Sequence, residues 1–278
     1  MKYTVLTLFP EIVDTFFATS IMAKAIQRGV ISYRSINIRD FATDKHHKCD
    51  DAPYGGGAGM LMLPEPIGRA LEFAGAVKKH RPAGEAESTG TAKKRARVVY
   101  LSPSGRLFNQ DLARELSSEE ELILLCGRYE GIDQRIIDTY VDDEISIGDY
   151  VLSSGEVGAL VLIDATYRLV EGVISAESLE EESFSEGLLE YPQYTRPEIY
   201  DTLRVPEVLL SGHHEQIRQW RLRKRVLKTL LVRPDLIKNG LADGRFNAET
   251  RKFIQELRDQ DLQNQQSAGF EGDRDERN

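Results

Sequence analysis

Short apolar runs alternate with longer amphipathic stretches from Tyr3 to about Val170. The runs are YTVLTLF, SYRSINI, RVVYLSP and LILLCG, and their length and their Val, Ile, Leu and Tyr content predict buried β-strands. Strands separated by helical stretches are typical of a parallel sheet. The pattern therefore predicts an α/β domain with a parallel sheet. By itself it favours a conventional doubly wound topology, because knotted chains are rare.

Two of the amphipathic stretches carry residues typical of helix ends. Ser20 precedes IMAKAIQRG and Asn109 precedes QDLAREL, and both side chains can accept a hydrogen bond from the free N–H groups of a first turn. Gly29 follows the first stretch, where a left-handed residue commonly ends a helix. We therefore expect helices that begin next to Ser20 and Asn109, the first of them ending before Gly29.

Polar segments divide the chain into domains. Residues 78–97 (KKHRPAGEAESTGTAKKRAR) lack apolar periodicity, which predicts a mobile surface insertion. Residues 175–185 (SAESLEEESFS) are acidic and lack a core-facing stripe, which is typical of an interdomain linker. The C-terminal end is almost free of apolar side chains, which predicts disorder. We expect a first domain over 1–173, a linker over 174–190, a helical domain over 191–262 and a disordered tail over 263–278.

A long basic helix is predicted after the linker, over HEQIRQWRLRKRVLKTLLVRP. Its apolar residues recur at mostly helical spacing and should face a core; they are Ile217, Trp220, Leu222, Val226, Leu227 and Leu230. A solvated cationic face is the simplest explanation of the remaining positions, but so many cations in a chain of formal net charge -9 favour contact with phosphate. We therefore expect RNA to be bound by Arg218, Arg221, Arg223 and Arg225.

Composition places the chain among soluble globular proteins. It has 278 residues, 41% of them hydrophobic, and no apolar run approaches the roughly 20 residues of a membrane span. The N-terminal residues lack the pattern of a secretory signal, so we expect a cytoplasmic protein without membrane contact. Cys49 and Cys126 lack paired spacing, so neither a disulfide nor a zinc site is expected. For His46 and His47, a surface position explains the sequence as well as a role in a substrate pocket does.

Four glycine-bearing segments follow predicted strands. They are PYGGGAGM at 53–60, YLSPSG at 100–105, CGRYEG at 126–131 and SIGDYVLSSGE at 146–156. Loops at strand ends form ligand clefts in α/β domains, and glycine lets backbone groups approach an adenine edge or a ribose closely. The sequence has neither a GxGxxG with an acidic partner nor a GxxxxGK[ST]. It therefore lacks the main motifs that would indicate a nicotinamide or a nucleoside-triphosphate cofactor.

These segments carry a resemblance to a known family. PYGGGAGM, YLSPSGR, CGRYEGIDQR, SIGDYVLSSGE, SFSEGLLEYPQYTRP and VPEVLLSGHHEQIRQWR occur in this order, between LFPE at 8–11 and about residue 235. In this order they closely resemble the TrmD family of tRNA (guanine-N1)-methyltransferases, of the SPOUT class. The resemblance implies transfer of a methyl group from S-adenosylmethionine to N1 of the guanosine at position 37 of tRNA.

The resemblance also implies a fold that the pattern alone does not predict. Members of the family tie a deep trefoil knot in the C-terminal part of the sheet, and the knot loops hold S-adenosylmethionine in a bent shape. Those loops match YLSPSG, CGRYEG and SIGDYVL here. The implied cofactor-binding residues are Tyr100, Leu101, Ser102, Pro103, Gly105, Gly127, Tyr129, Glu130, Gly131, Ile147, Gly148, Asp149, Tyr150, Val151 and Leu152.

The chemistry of N1 methylation calls for a base and a cation. Guanine N1 carries a proton, so a base must remove it while negative charge builds on O6. The resemblance places the base at Glu182, where relatives carry Asp, and the cation at Arg168. Glu180 and Glu181 adjoin Glu182, so the choice among these carboxylates stays open, and an acidic linker without catalytic role is the alternative.

Substrate, partner and metal expectations follow from the same resemblance. In relatives the segment matching PYGGGAGM contacts the target guanine and the base before it, which implies Asp50, Tyr54, Gly55, Gly56, Gly57, Ala58 and Gly59 here. Ala58 stands where some members have Pro. The family forms homodimers, in which each active site combines the knot of one subunit with the linker and C-terminal domain of the other. Magnesium dependence is a further family expectation, with Glu130 as a carboxylate that could help hold the ion.

Two alternative functions fit parts of the sequence. Another SPOUT-class enzyme, acting on ribosomal RNA or a ribose hydroxyl, is disfavoured because SFSEGLLEYPQYTRP and PYGGGAGM belong to the tRNA guanine-N1 enzymes. A non-catalytic RNA-binding module would explain the basic helix. It would leave the cofactor loops and the linker carboxylate unexplained.

Overall fold

The structure of the protein, a computed structural model, describes residues 1–79, 95–175 and 182–272, with side chains up to residue 260. Most of the predicted insertion over 78–97, Glu180 and Glu181 lie outside the described residues. The chain divides into two compact units, Met1–Ser175 and Ala176–Asn278. Within the described residues, no helix is both long enough and apolar enough to cross a membrane.

The first unit is built on a parallel sheet. Among the described residues, five strands form this sheet in the order β2-β1-β6-β5-β7, and every neighbouring pair is parallel. A separate antiparallel pair joins β3 and β4. The predicted α/β architecture with a parallel sheet is therefore confirmed. The strands are β1 (Lys2–Thr7), β2 (Ser32–Asn37), β3 (Asp50–Asp51), β4 (Leu61–Met62), β5 (Arg97–Leu107), β6 (Glu121–Cys126) and β7 (Asp143–Ser146).

Six helices of the described part of the first unit cover this sheet. They are α1 (Pro10–Phe17), α2 (Ser20–Gln27), α3 (Pro64–Ala74), α4 (Gln110–Ser117), α5 (Gln134–Tyr140) and α6 (Gly155–Tyr167). Asn109 caps α4 as predicted, because its side chain accepts a hydrogen bond from the N–H of Leu112. Helix α2 begins next to Ser20, although Thr19 is its N-cap, and Gly29 follows its end with a left-handed φ of 72°.

Successive residues of the central strands enter two different cores. Val99 and Leu124 pack in a core that α1, α2, α4 and α6 cover, whereas Val98 and Ile123 pack in a second core under α3 and α5. Both faces of the sheet are thus buried. This explains why the strands appear in the sequence as nearly continuous apolar runs rather than as alternating ones.

Strand β5 contains an interruption that shapes the edge of the sheet. Leu101 and Arg106 both pair with Ile145 of β7, so residues 102–105 leave the ladder between them. Gly105 returns the chain to β7 so closely that a β-carbon would lie within 2.5 Å of the Glu144 carbonyl oxygen. Only glycine permits this approach of two backbones.

The second unit is mainly helical. A small core holds Leu188, Leu222, Val226, Ile237, Phe246 and Ile254. Its described elements are β8 (Ile199–Tyr200), β9 (Leu203–Arg204), α7 (Glu207–Leu210), α8 (His214–Val232), α9 (Pro234–Ala242) and α10 (Ala248–Gly272). Because Leu188 is part of this core, the end of the predicted linker at residue 190 lies too far along the chain.

Helix α10 also differs from the prediction. The sequence predicts disorder from residue 263, but the backbone stays helical to Gly272, and residues 273–278 lie outside the described part. The stretch DLQNQQSA is rich in residues of good helix propensity, and extending an existing helix is much easier than starting one. Low apolar content excludes a core position, but it does not exclude a helix.

Candidate active site

A cavity of 310 Å³ lies at the interruption of β5 and at the carboxyl ends of β6 and β7. Loops that follow parallel strands meet at this edge, which is where open α/β sheets bind ligands. The volume lies near the lower end of the range of small-molecule sites, about 300 to 1,000 Å³. Its lining consists of residues 100–104, 127–131, 145–148, 150–155 and 158.

The cavity brings together most of the residues that the sequence assigns to the cofactor. Only Gly105 and Asp149 of that set do not line it. Gly105 instead allows the backbones of β5 and β7 to come close together. Eight further lining residues were not predicted from the sequence. Ile145 and Gly158 lie next to the quoted motifs, and the others lie inside them, namely Ser104, Arg128, Ser146, Ser153, Ser154 and Gly155. Their position in the same motifs was the available signal.

Two glycines let the loops come together beneath the cavity. A β-carbon at Gly155 would lie 2.7 Å from the backbone nitrogen of Gly127 and 2.8 Å from Cα of Cys126. A β-carbon at Gly127 would lie 2.9 Å from the ring of Tyr100. Real β-carbons do not approach atoms so closely, so the floor of the cavity depends on both glycines.

Tyr100 contributes a protonated phenol to the cavity wall. Its side chain is 6% exposed, and this burial is the main cause that raises its pKa to about 12. The negative charge of Glu144 raises the pKa further, and a hydrogen bond with the backbone of Ile132 opposes the rise. The phenol therefore stays neutral at physiological pH.

Arg128 is held in the wall by groups from two other elements. Its guanidinium lies 4.6 Å from the centre of the Phe9 ring, a cation–π distance, and its Nη1 lies 3.9 Å from Oε2 of Glu156. Glu156 is 1% exposed, and its Oε1 accepts a hydrogen bond of 2.5 Å from the hydroxyl of Thr7. The motifs LFPE and SSGE thus meet at the cavity.

The glycine-rich segment at 53–60 adjoins the cavity. The N–H of Glu130 donates to the carbonyl of Met60 at 3.0 Å, and the N–H of Met62 donates to the carbonyl of Gly131 at 3.0 Å. The Glu130 side chain fills the space where a β-carbon of Gly59 would lie. The structure therefore joins the segment that is expected to contact guanine to the loop that is expected to contact the cofactor.

Other residues expected at the substrate lie on or near this segment. Tyr54 is fully exposed at its tip, and Gly55, Gly56, Gly57 and Ala58 are exposed as well. Asp50 is half-buried in β3. A ring that is fully exposed on a glycine-rich loop is suited to stacking on a nucleic-acid base.

Arg168 lies far from the cavity of its own chain. It is the C-cap of α6, whereas Gly155 in the cavity lining begins the same helix. A helix rises by 1.5 Å per residue, so the two positions are about 20 Å apart. Arg168 therefore cannot serve the cavity of its own chain unless the helix is rearranged.

Glu182 belongs to the second unit. It is half-buried at the start of a turn, and its carbonyl accepts hydrogen bonds from both the N–H and the hydroxyl of Ser185, at 3.2 and 2.7 Å. The turn continues through Phe184, which has a left-handed φ of 72°. Glu182 thus has a defined place within its unit.

The basic helix α8 carries fewer available cations than its sequence predicts. Arg218 is exposed but forms ion pairs with Glu215 and Glu249 at 2.8 and 2.7 Å, which raise its pKa and lower that of Glu215 to about 2. Arg221 lies 4.8 Å from the centre of the Tyr191 ring. Acidic and aromatic neighbours on the second unit therefore already contact these side chains.

Two further arginines of α8 differ sharply from each other. Arg223 is half-buried, with its Nη1 3.7 Å from Glu256. Arg225 is only 5% exposed and bonds to Glu186 at 2.7 Å. The prediction that Arg225 lies on the RNA-facing surface is wrong for this unit, because helical periodicity places position 225 between Leu222 and Val226 of the core.

Histidine, cysteine and acidic side chains are the groups that could hold a metal ion, and cysteine is the one that could react as a thiol. No group of three or more His, Cys, Asp or Glu side chains in that part of the chain is arranged to hold a metal ion. His46 and His47 are exposed. Cys49 and Cys126 are free and buried, and burial raises the pKa of both thiols.

Comparison with known proteins identifies relatives over nearly the whole chain. The model of the tRNA (guanine-1)-methyltransferase TrmD family matches residues 1–239. A tRNA (guanine-N(1)-)-methyltransferase of Treponema denticola is 60% identical over 257 residues, which cover 92% of this chain and 99% of that protein. A protein of the same name from Treponema pallidum is 55% identical over 257 residues, which cover 92% of this chain and 96% of that protein. One of Borreliella burgdorferi is 56% identical over 238 residues, covering 85% and 92%.

Proposed function

Since the chain belongs to the TrmD family and is an enzyme that methylates N1 of guanosine in tRNA, we propose that its target is the guanosine at position 37, next to the anticodon. Position 37 rests on the family resemblance, and the observation that supports methyl transfer to a base is the cavity at the sheet edge, with the exposed glycine-rich segment joined to its wall. A methyl-donor site and a base-contacting segment thus lie side by side. A non-catalytic RNA-binding module would not account for the cavity, and another enzyme of the SPOUT class is disfavoured by the match to the tRNA guanine-N1 family.

Family membership implies S-adenosylmethionine as the methyl donor, and the cavity fits this cofactor. When bound, the cofactor supplies an electrophilic methyl group on a sulfonium ion. Gly127 and Gly155 line the cavity without side chains, so an adenine edge can approach the backbone of the loops closely. Glu130 supplies negative charge for the cationic part of the cofactor, and Arg128 supplies positive charge for its carboxylate.

The proposed roles of the protein groups follow from the chemistry of guanine. Glu182 accepts the N1 proton, which frees the electron pair that forms the bond to the methyl carbon while the bond from sulfur to carbon breaks. Arg168 donates hydrogen bonds to O6, where negative charge builds as the proton leaves. The exposed ring of Tyr54 stacks on a base of the anticodon loop.

We further propose that the enzyme works as a homodimer. The position of Arg168, about 20 Å along α6 from the cavity of its own chain, supports this proposal, because a second subunit can bring that residue to the cavity. The trefoil knot, the assignment of Glu182 to the partner's cavity and magnesium binding with the help of Glu130 rest on the family resemblance alone.

The second unit is proposed to grip the anticodon stem-loop. Arg218, Arg221 and Arg223 are the candidates for phosphate contact, whereas Arg225 is buried. Each available cation must exchange an acidic or aromatic neighbour for phosphate. Each phosphate contact that forms releases counterions from the RNA, so binding should be salt-dependent.

A tRNA transcript assay tests the proposed target. Purified protein, S-adenosylmethionine with a labelled methyl group and an unmodified transcript should yield 1-methylguanosine, located at position 37 by nuclease digestion and mass spectrometry. A matched transcript with adenosine at position 37 should remain unlabelled. Methylation at another guanosine, or equal labelling of both transcripts, would contradict the proposed position.

A further inference from the structure

The turn that carries Glu182 is anchored to the basic helix. The N–H of Phe184 donates to the carbonyl of Leu188 at 2.8 Å, and the N–H of Glu190 donates to the hydroxyl of Ser183 at 3.0 Å. Leu188 is 1% exposed and packs in the core of the second unit. The segment over 183–190 is therefore a folded turn of defined shape rather than a free tether.

Three side chains of α8 attach this turn at three points. The hydroxyl of Thr229 donates to the carbonyl of Arg225 at 2.7 Å and accepts a hydrogen bond from the N–H of Leu189 at 2.9 Å. The ammonium of Lys228 donates to the carbonyl of Glu190 at 3.1 Å. Nearer to Glu182, Nη1 of Arg225 donates to Glu186 at 2.7 Å. The Arg225–Glu186 pair thus holds the part of the turn that follows Glu182.

The Arg225–Glu186 pair is poorly suited to a purely stabilising role. Arg225 is 5% exposed, and its Nε and Nη2 are buried without a hydrogen-bond partner. Glu186, in contrast, keeps 60% of its side chain exposed. Burying a guanidinium with unsatisfied donors is costly, and apolar residues of similar size are commonly as stable or more stable at such positions. The pair therefore calls for a role other than stability.

We infer that Arg225 is a positioning residue for the proposed base: through Glu186 it fixes the turn on α8 and thereby the place of Glu182. The inference rests on the proposed function, because it assigns Glu182 the removal of the N1 proton. Proton transfer depends steeply on geometry, and a misplacement of about 1 Å can cost about 100-fold in rate. Arg225 acts without contact to RNA or cofactor.

Single-turnover kinetics at saturating tRNA and cofactor test this inference on the full-length protein. Arg225→Met keeps the volume of the stem and removes the charge, and it should lower the rate of methyl transfer about 10- to 100-fold. The Kd for tRNA should stay within about twofold and the Tm should stay equal or rise. Arg258→Met, the same substitution at an exposed position of α10, is the matched control and should keep the wild-type rate.

Two further variants separate positioning from other roles. Glu186→Ala should show the same loss, and the double variant should be no worse than either single variant, because both remove one interaction. Arg225→Lys retains a charge that can reach Glu186 and should restore part of the rate. If Arg225→Met fails to fold, Glu186→Ala decides alone, because its side chain is mostly exposed.

Three results would overturn the inference. Unchanged single-turnover rates in Arg225→Met and Glu186→Ala would show that the pair does not position the base. A weaker Kd for tRNA with an unchanged saturated rate would show that Arg225 contacts RNA. A lowered Tm, with a rate that recovers on cooling, would show a structural role. Methyl transfer at the wild-type rate by Glu182→Gln would instead contradict the proposed role of Glu182.

Discussion

Removal of the N1 proton is the step for which the account relies on a single side chain, Glu182. Glu182→Gln keeps the size of the side chain and removes its basicity, so methyl transfer should fall about 100- to 10,000-fold. Binding of S-adenosylmethionine, measured by calorimetry, should be nearly unchanged because the base acts on guanine. A variant that turns over at the wild-type rate would exclude Glu182, and Glu181→Gln would then be the next variant to test.

The raised pKa of Tyr100 gives the protein a measurable dependence on alkaline pH. An unfolded tyrosine loses its proton near pH 10, whereas folded Tyr100 keeps it to about pH 12. The folded state therefore binds more protons in this interval, and the free energy of unfolding should fall by about 2 to 3 kcal/mol as the pH rises through it.

Tyr100→Phe isolates this contribution, because other buried tyrosines stay in place. Urea unfolding at a series of pH values should show a shallower alkaline decline in the variant than in the wild-type protein. Identical declines in the two proteins would mean that the Tyr100 phenol ionises normally in the folded state.

Single residues also show which features of the site could be predicted from the sequence and which could not. The cavity loops could be predicted because a glycine-rich segment directly after a buried strand is typical of a ligand-binding loop. Arg128 lies in the quoted motif CGRYEG, but its contacts with Phe9 and Glu156 could not be predicted, because those residues are distant in sequence and adjacent only in the fold. Arg225 was assigned to the surface because a charge on an amphipathic helix is normally exposed, and its partner Glu186 lies in another segment.

At the scale of elements, the start of α6 is the most constrained junction of the cavity. Gly155→Ala would drive a β-carbon against the backbone of Cys126 and Gly127, which side-chain movement cannot relieve. We expect a loss of about 1 to 3 kcal/mol in unfolding free energy, with weaker cofactor binding. Denaturant unfolding and calorimetry with S-adenosylmethionine measure the two effects.

Gly68→Ala is the matched control for this prediction. Gly68 lies inside α3, and a β-carbon there would make only ordinary contacts, the nearest at 3.6 Å. Alanine favours a helix interior by about 1 kcal/mol over glycine, so stability should be equal or higher. Equal effects of the two substitutions would mean that the junction at Gly155 tolerates a side chain.

Elements were predicted more reliably than their limits. Periodicity indicated the basic helix and four of the five described strands of the sheet, because a strand buried on both faces is a continuous apolar run and a helix buried on one face has an apolar stripe. It did not indicate β7, whose four residues DEIS are mostly polar. It did not indicate that α10 continues to Gly272, since helix propensity acts without an apolar stripe. It also extended the linker over the turn at 183–190, whose attachment depends on side chains of α8.

At the scale of the whole molecule, the proposed dimer explains how Arg168 can serve a cavity that it does not reach in its own chain. Arg168 lies at the far end of α6 from the cavity. Glu182 belongs to the second unit. A symmetric dimer would form two equivalent sites, each using the cavity of one subunit and the charged residues of its partner. Loss of either set should then be repaired by a subunit that retains it.

A mixed-dimer experiment tests most directly whether the cavity and Glu182 form one site across two subunits. One variant carries Gly148→Trp, which blocks the cavity, and the other carries Glu182→Gln, so each homodimer should be inactive. Random mixing of equal amounts makes about half of the dimers mixed, each with one intact site, and methylation of tRNA should recover to about a quarter of the wild-type rate. No recovery, with subunit exchange confirmed by mass spectrometry, would contradict a site shared between subunits that act independently.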